Sequence, residues 1–147
     1  MAEIELNRRE LIVAGAVALT AGPAWAAESG ALHFLAIGDF GRDGQYHQRD
    51  VAEQMGKVAA QVHSSFVLTV GDNFYPDGVR SLDDPKWRTS FEDVYVAPSL
   101  QTPWYAALGN HDYHVTPQVE VDYTRVSKRW RMPSRYYSVP QLSLIHI

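Results

Sequence analysis

Three apolar segments of this chain each end in a glycine followed by aspartate or asparagine, and this repetition constrains the fold more than any other feature. Short apolar runs bounded by turn residues are typical of buried strands. The runs are residues 32–37, 66–70 and 104–108, and they are followed by Gly38-Asp39, Gly71-Asp72 and Gly109-Asn110. The sequence therefore predicts three strands that each end in a polar turn.

The segments between these strands carry helical patterns. An amphipathic helix is predicted between Tyr46 and Val62, where apolar residues recur at helical spacing at Val51, Met55, Val58 and Val62. Pro85 can open a second helix, whose apolar face would consist of Trp87, Phe91, Val94 and Tyr95. Alternation of strands and helices implies parallel pairing with right-handed crossovers. We therefore predict an α/β fold with the order β-α-β-α-β and mainly parallel strands, in one domain.

Composition limits the chemistry open to the protein. The 147 residues carry a net charge of -4 and no cysteine. The charge gives no support to a nucleic-acid partner or to a polybasic membrane surface. Without cysteine, any metal must be held by carboxylate, amide, phenolate or imidazole groups.

The first 26 residues have the pattern of a cleaved export signal. An apolar run over residues 11–22 is shorter than the roughly 20 residues that span a bilayer, and Ala24-Trp25-Ala26 follows it. We predict a signal peptide over 1–26, with no stable membrane anchor after cleavage. Arg8-Arg9 resemble the twin-arginine signal, so we expect transient contact with that export machinery and a periplasmic or secreted location. The alternative is a core or anchor helix.

The polar turns gain meaning from their shared position. Taken singly, a Gly-Asp after a strand is a common turn in which glycine supplies a left-handed conformation and aspartate caps it. In a parallel sheet, however, the carboxyl ends of the strands meet at one edge, where ligands bind. Asp39, Asp72, Asn110 and His111 would then converge.

The motif order resembles the small, single-domain purple acid phosphatases of the calcineurin-like metallophosphoesterases. The matching patterns are Asp-x-Gly at residue 39, Gly-Asp-x-x-Tyr at residue 71 and Gly-Asn-His-Asp at residue 109, within a resemblance from about Leu32 to Val139. It implies that residues 27–139 form the N-terminal part of a metallophosphoesterase domain. That part is the first half of an α/β/β/α sandwich.

The resemblance also implies roles for individual residues. Asp39 would bind the first of two metals, Asp72 would bridge both, and Asn110 would bind the second. His111 would sit over the substrate phosphate as a catalytic residue. Asp112 would either orient His111 or cap the turn.

Gly41 and Tyr75 separate the purple acid type from its relatives. Most metallophosphoesterases carry Asp-x-His in the first motif, but Gly41 stands where that histidine would be. By the resemblance, Tyr75 replaces the missing ligand as a phenolate, a hard donor that favours Fe(III). A second divalent metal, either iron, zinc or manganese, would complete the pair. The alternative is that Tyr75 is an aromatic residue at the rim.

The implied activity is acid hydrolysis of phosphate monoesters in small phosphorylated substrates, by a hydroxide activated by the two metals. The family completes its site with three histidines in Val-x-x-His and Gly-His-x-His motifs, which this chain lacks; His146 is the only later histidine. Residues 140–147 depart from the family pattern and are interpreted as a non-native tail. We therefore expect a truncated, inactive fragment.

Three other interpretations compete with this one. The chain could derive from a metal-dependent phosphodiesterase or nucleotidase of the same superfamily, which Tyr75 and Gly41 argue against. It could be a non-catalytic remnant that binds metal or phosphate. Asp39-Phe40-Gly41 also spells the magnesium motif of protein kinases, but no glycine-rich loop precedes it.

Overall fold

The computed structural model describes residues 31–139; the predicted signal peptide (1–26) and tail (140–147) lie outside the described residues. Four strands and two α-helices form the framework, and shorter helical turns connect them. The strands are β1 (Leu35–Ile37), β2 (Val67–Thr69), β3 (Trp104–Tyr105) and β4 (Trp130–Arg131). The helices are α1 (Gln48–Val62) and α2 (Gln118–Tyr123), with a π-helical turn at Arg88–Glu92 and 3-10 turns at Pro98–Leu100 and Asp112–His114.

The four strands form one parallel sheet in the order β1-β2-β3-β4. Leu35 is paired with Val67, Val67 with Trp104, and Trp104 with Trp130, so the strands start at a common level. This confirms the predicted α/β class and parallel pairing. The strand β4 is an addition to the three that the sequence predicted.

The helix α1 buries a different face from the one predicted. Ala52 and Ala59 are buried, whereas Val51 is 45% and Val58 42% exposed. Small side chains allow a close approach, because a Cβ on Gly56 would lie only 2.6 Å from the Ala97 Cβ. The apolar valine stripe is therefore not the packed face of α1. No helix among residues 31–139 has the length and apolarity to cross a bilayer.

The start of α1 is also later than predicted. Tyr46 and His47 have φ angles of 49° and 64°, which are left-handed, so the helix begins at Gln48. At the other end His63 is left-handed as well, and its N–H donates to the Ala59 carbonyl. A left-handed residue after the last turn is a common way for a helix to end.

Aromatic side chains fill the core between the sheet and the segment 86–95. The predicted second helix lies there, with helical turns that begin at Lys86 and become π-helical at Arg88–Glu92. Its predicted apolar face is confirmed, since Trp87, Phe91, Val94 and Tyr95 are all buried. Edge-on ring contacts join Phe91 to Trp104 and Trp130 at 5.1 and 5.2 Å. This core fixes the strands whose ends carry the polar turns.

Candidate metal centre

The turns after β1 and β2 place two aspartates in the same unusual backbone conformation. Asp39 and Asp72 follow Gly38 and Gly71, and their φ angles are 57° and 50°. Few residues other than glycine adopt this left-handed region, although aspartate tolerates it better than most. The Asp39 N–H donates to the Gly71 carbonyl at 3.2 Å, so the two turns are joined. Backbone strain of this kind concentrates at functional sites.

Tyr75 joins the two aspartates through its hydroxyl group. The hydroxyl hydrogen-bonds to Asp39 Oδ1, and it lies 2.9 Å from Asp72 Oδ2. One phenol proton can be donated to only one carboxylate at a time. Two carboxylates and a phenol oxygen thus converge, and this set of hard oxygen donors fits a hard cation.

The surroundings shift the pKa values of Tyr75 and Asp72 in opposite directions. Burial, followed by the hydrogen bonds to Asp39 and Asp72, raises the pKa of Tyr75 far above its usual value of 10.0. Burial tends to raise the pKa of Asp72, but the net pKa is lowered because the His111 N–H and the Tyr75 hydroxyl donate to its carboxylate. The free phenol therefore keeps its proton beside an ionised Asp72, and a cation would have to displace that proton.

Glycine allows the third turn to reach Asp72. A Cβ on Gly109 would lie 2.1 Å from Asp72 Oδ1, so only glycine fits there. The close approach lets the His111 N–H donate to Asp72 Oδ1 at 3.0 Å. Asn110 lies between Gly109 and His111 in the sequence and is exposed. Its assignment as a ligand of a second metal stays a prediction.

The His111 ring lies beside Tyr75, with 4.4 Å between the ring centroids. Its Nδ1 atom is 2.5 Å from the Pro76 carbonyl oxygen. A carbonyl can only accept, so Nδ1 carries the proton and Nε2 is the ring nitrogen left for other partners.

Asp112 caps backbone groups instead of contacting the His111 ring. Its buried carboxylate accepts the N–H groups of Gly109 at 2.8 Å and of Asn73 at 2.9 Å. It therefore holds the second and third turns together, which is the capping role that the sequence left open. The His111 ring is held by Pro76 instead, so orientation by Asp112 is not what these contacts show. A catalytic part for Asp112 stays a prediction.

Sequence reasoning missed a buried polar group beneath the turns. The Asn73 side-chain amide donates to the Ala107 carbonyl at 2.7 Å and to Glu120 Oε2 at 3.0 Å, and it lies 3.2 Å from Asp112 Oδ2. Burial, and then the nearby Asp112 charge, raise the pKa of Glu120 well above its usual 4.5. Nothing in the sequence around Glu120 signals this position, because only the tertiary fold brings it under the site.

The first turn leaves no room for a side chain at Gly41. A Cβ there would lie 2.1 Å from the Asn73 carbonyl oxygen, and the Gly41 carbonyl accepts the Tyr75 N–H at 2.8 Å. A histidine at this position would need a different backbone. The local packing at this turn therefore requires glycine at position 41 and places Tyr75 beside it.

The converging set is small. Within residues 31–139, no three histidine, cysteine, aspartate or glutamate side chains come together as a group that could hold a metal ion. Asp39 and Asp72 are two carboxylates, and Tyr75 supplies the third oxygen. A tightly held metal would need further ligands in addition to these three.

A family model described as calcineurin-like phosphoesterase matches residues 32–146. The chain belongs to the calcineurin-like phosphoesterase family. The resemblance read from the motifs is thereby confirmed, as is the assignment of these residues to the N-terminal and central part of such a domain. The strand-end turns that carry Asp39, Asp72 and Asn110 all lie within the matched segment.

Similar proteins within this phosphoesterase family are acid phosphatases. Purple acid phosphatase 3 of Arabidopsis thaliana is 48% identical over 103 residues, which cover 69% of this chain and 28% of the relative. Tartrate-resistant acid phosphatase type 5 of Oryctolagus cuniculus is 42% identical over 112 residues, which cover 72% of this chain and 34% of the relative. The matched part thus spans about a third of these relatives.

Among solved structures, the chain is similar to GAP50, the anchor in the inner membrane complex of Plasmodium. The TM-score is 0.63 at 26% identity, and the match covers 72% of this chain and 35% of that one. The fold is therefore shared with a protein whose description is that of an anchor. The chain is thus similar both to acid phosphatases and to a protein described as an anchor.

Proposed function

We propose that the chain is the N-terminal part of an acid phosphatase that hydrolyses phosphate monoesters at a dinuclear metal centre. The observation that carries the proposal is the convergence of Asp39, Asp72 and Tyr75 through the tyrosine hydroxyl. Similarity to purple and tartrate-resistant acid phosphatases supports it. Because the match spans about a third of those relatives, the activity is proposed for the full-length protein, meaning residues 1–139 continued along the reading frame of the source gene.

The residues present fit a pair of metals in part. Asp39 and Tyr75 would hold Fe(III), Asp72 would bridge to a divalent iron, zinc or manganese ion, and Asn110 would offer a neutral oxygen to that second ion. When bound, two such ions would lower the pKa of a water molecule and neutralise charge that develops on the phosphate. The remaining ligands would come from the part of the full-length protein that this chain lacks.

His111 has the geometry of a group that acts on the substrate. Because Nδ1–H is bound to the Pro76 carbonyl, Nε2 carries a proton only when the ring is an imidazolium cation, and that proton would be donated to a phosphate oxygen or transferred to the leaving alkoxide. The Asp72 carboxylate fixes the backbone of His111 from the other side. Both the ring and the backbone N–H of His111 are therefore held by hydrogen bonds.

The site can be tested in the full-length, metal-loaded protein by measuring hydrolysis of an aryl phosphate. Asp72→Asn removes the charge of the proposed bridging ligand, and we expect a loss of about 100-fold or more in kcat/KM, in line with the loss of a main electrostatic element. Asp83→Asn is the matched control, since Asp83 is exposed and lies outside the site. Wild-type turnover that persists unchanged in Asp72→Asn would contradict the proposal.

The 147-residue chain alone is proposed to be inactive, because Val-x-x-His and Gly-His-x-His motifs are missing from it. Phosphate release by this chain should therefore not exceed that of a metal-only blank. Release above the blank would show that the ligands present are sufficient. The missing motifs are expected in the source gene, downstream of the codon for Val139.

A non-catalytic function is the second candidate. The similarity to the Plasmodium protein GAP50, with a TM-score of 0.63, favours it because that protein shares the fold and is described as an anchor. A non-catalytic protein would bind metal or phosphate without turnover. Binding of inorganic phosphate to the metal-loaded protein, with no hydrolysis of any monoester, would support this candidate over the phosphatase. A phosphodiesterase would instead favour diesters.

Export is proposed from the sequence of residues 1–26. Twin-arginine transport would deliver the protein to the periplasm or the medium, where small phosphorylated compounds would be the substrates. Replacing Arg8 and Arg9 together by lysine should leave the protein inside the cell, as measured by cell fractionation. Unchanged export of that variant would argue against this route.

A further inference from the structure

Arg42 is a cation beside the candidate metal centre that has no assigned part. Its guanidinium carbon lies 3.7 Å from the centroid of the Tyr75 ring, which is a close cation–π contact. In the part of the chain that the structure describes, no carboxylate lies within ion-pair distance of this guanidinium. Arg42 therefore presents a positive charge without an ion-pair partner at the mouth of the site.

The nearest sequence neighbour of Arg42 does not neutralise it. Asp43 Oδ1 accepts hydrogen bonds from the hydroxyl groups of Thr89 at 2.5 Å and Ser90 at 3.1 Å. These bonds hold the Asp43 carboxylate against the segment 86–95. The charge of Arg42 is consequently free to meet an anion from solution.

The loop that carries Arg42 is fixed from below. Gln48 is buried, and its side-chain carbonyl accepts the N–H groups of Arg42 at 3.0 Å and Gly44 at 2.7 Å. The amide end of Gln48 donates to the Ser90 carbonyl at 2.7 Å. The backbone at Arg42 is thus anchored to the core, which lowers the entropic cost of presenting its side chain.

Arg42 lines two adjoining cavities. One of about 390 Å³ lies at the rim of the site and is lined by Arg42, Asp43, Gln45, Tyr46, Tyr75 and Pro76. The other, of about 170 Å³, includes Asp39 together with Arg42 and Tyr46. Arg42 therefore stands between a proposed metal ligand and an open pocket, and Tyr46, which is 79% exposed, offers an aromatic face there.

We propose that Arg42 and the rim pocket bind a second anionic group, carried by the leaving-group side of the phosphate ester. This inference rests on the proposed phosphatase function. The planar guanidinium can form two parallel hydrogen bonds to a carboxylate or phosphate while it stays stacked on Tyr75. Arg42 is then a specificity residue that selects esters with an extra negative charge, such as diphosphates or carboxylated aryl phosphates.

The test compares two substrates that differ by one charge, phenyl phosphate and 4-carboxyphenyl phosphate, with full-length metal-loaded protein. For Arg42→Gln we expect the ratio of their kcat/KM values to shift about tenfold against the carboxylated ester, the size expected for loss of a charge-assisted hydrogen bond. Arg42→Lys keeps the charge without the planar fork and should shift the ratio less. Added salt should weaken the wild-type preference.

An equal loss for both substrates would overturn the inference, because Arg42 would then act through Tyr75 and not on the substrate. A second variant, Tyr46→Leu, removes the ring that lies 6.0 Å from the Arg42 guanidinium carbon, so it should also shift the ratio against the carboxylated ester, by less than Arg42→Gln does. If neither variant changes the ratio, the rim pocket is not a subsite. Melting temperatures of both variants would show whether each remains folded.

A binding measurement separates this inference from the proposed function. Inorganic pyrophosphate is titrated calorimetrically into wild type and Arg42→Gln. Weaker binding to the variant supports the anion site even if neither ester is hydrolysed, in which case only the phosphatase proposal fails. Equal binding to both proteins overturns the inference even if both esters are hydrolysed.

Discussion

Replacing Gly41 by alanine should disrupt the candidate site, whereas the same change three residues earlier at Gly38 should not. A Cβ at Gly41 would lie 2.1 Å from the Asn73 carbonyl oxygen and 3.1 Å from the Phe74 Cα, and both are backbone atoms. Relief requires the first and second turns to separate by roughly 1 Å, which is an overpacking problem. At Gly38 the Cβ would meet Val70 Cγ2 at 2.8 Å.

The loss of unfolding free energy can be estimated for each alanine variant. Overpacking in a tight site costs about 1–3 kcal/mol, and strain on the hydrogen bond from Tyr75 N–H to the Gly41 carbonyl adds about 0.5–1.5 kcal/mol. Gly41→Ala should therefore lose roughly 2–4 kcal/mol of unfolding free energy. The Val70 side chain is 68% exposed and can change rotamer, so Gly38→Ala should stay within about 1 kcal/mol of wild type.

Urea unfolding of the metal-free full-length protein, followed by tryptophan fluorescence, measures both values. A visible absorption spectrum of each iron-loaded variant shows whether Tyr75 is still in place. An unfolding free energy of Gly41→Ala within ~0.5 kcal/mol of the wild-type value, the usual range for neutral changes, would refute this prediction. It is also refuted if both alanine variants lose the same free energy.

Two further predictions concern the polar group beneath the turns. Because the folded protein raises the Glu120 pKa, it holds a proton there that the unfolded chain loses above pH 4.5; wild-type stability should fall as pH rises above that value. Glu120→Gln cannot lose this proton, so its urea midpoint should improve relative to wild type as the pH rises above 4.5, and parallel profiles would contradict the assignment. Asp112→Ala leaves the Gly109 and Asn73 N–H groups without their acceptor, and we expect a loss of about 2–5 kcal/mol in unfolding free energy. A loss under 1 kcal/mol in the same assay, where ~1 is the low end for one orphaned group, would show that Asp112 does not hold the turns together.

The sequence was most informative where function depends on neighbours along the chain. A glycine, an aspartate and the end of an apolar run are local features, so the turns at Asp39 and Asp72 could be predicted, and Tyr75 follows Asp72 closely. The parallel sheet follows from the alternation of strands and helices. These features required no knowledge of tertiary contacts.

The remaining features depend on packing that periodicity does not encode. The valines of α1 looked like its buried stripe, but the approach of Ala97 to Gly56 selects the small-residue face. Glu120 lies 47 positions from Asn73 in the sequence, and only the fold brings the two side chains together. Arg42 likewise gains its place from Gln48, which anchors its loop. Long-range contacts of this kind leave no local pattern.

The proposed metal centre depends above all on Tyr75 as a metal ligand. The most direct measurement is the visible absorption of the full-length, iron-loaded protein and of its Tyr75→Phe variant, with Tyr113→Phe as the control because Tyr113 is half exposed and outside the converging set. We predict a tyrosinate band in wild type and in Tyr113→Phe and its disappearance in Tyr75→Phe. A band that survives in Tyr75→Phe would contradict the proposed site.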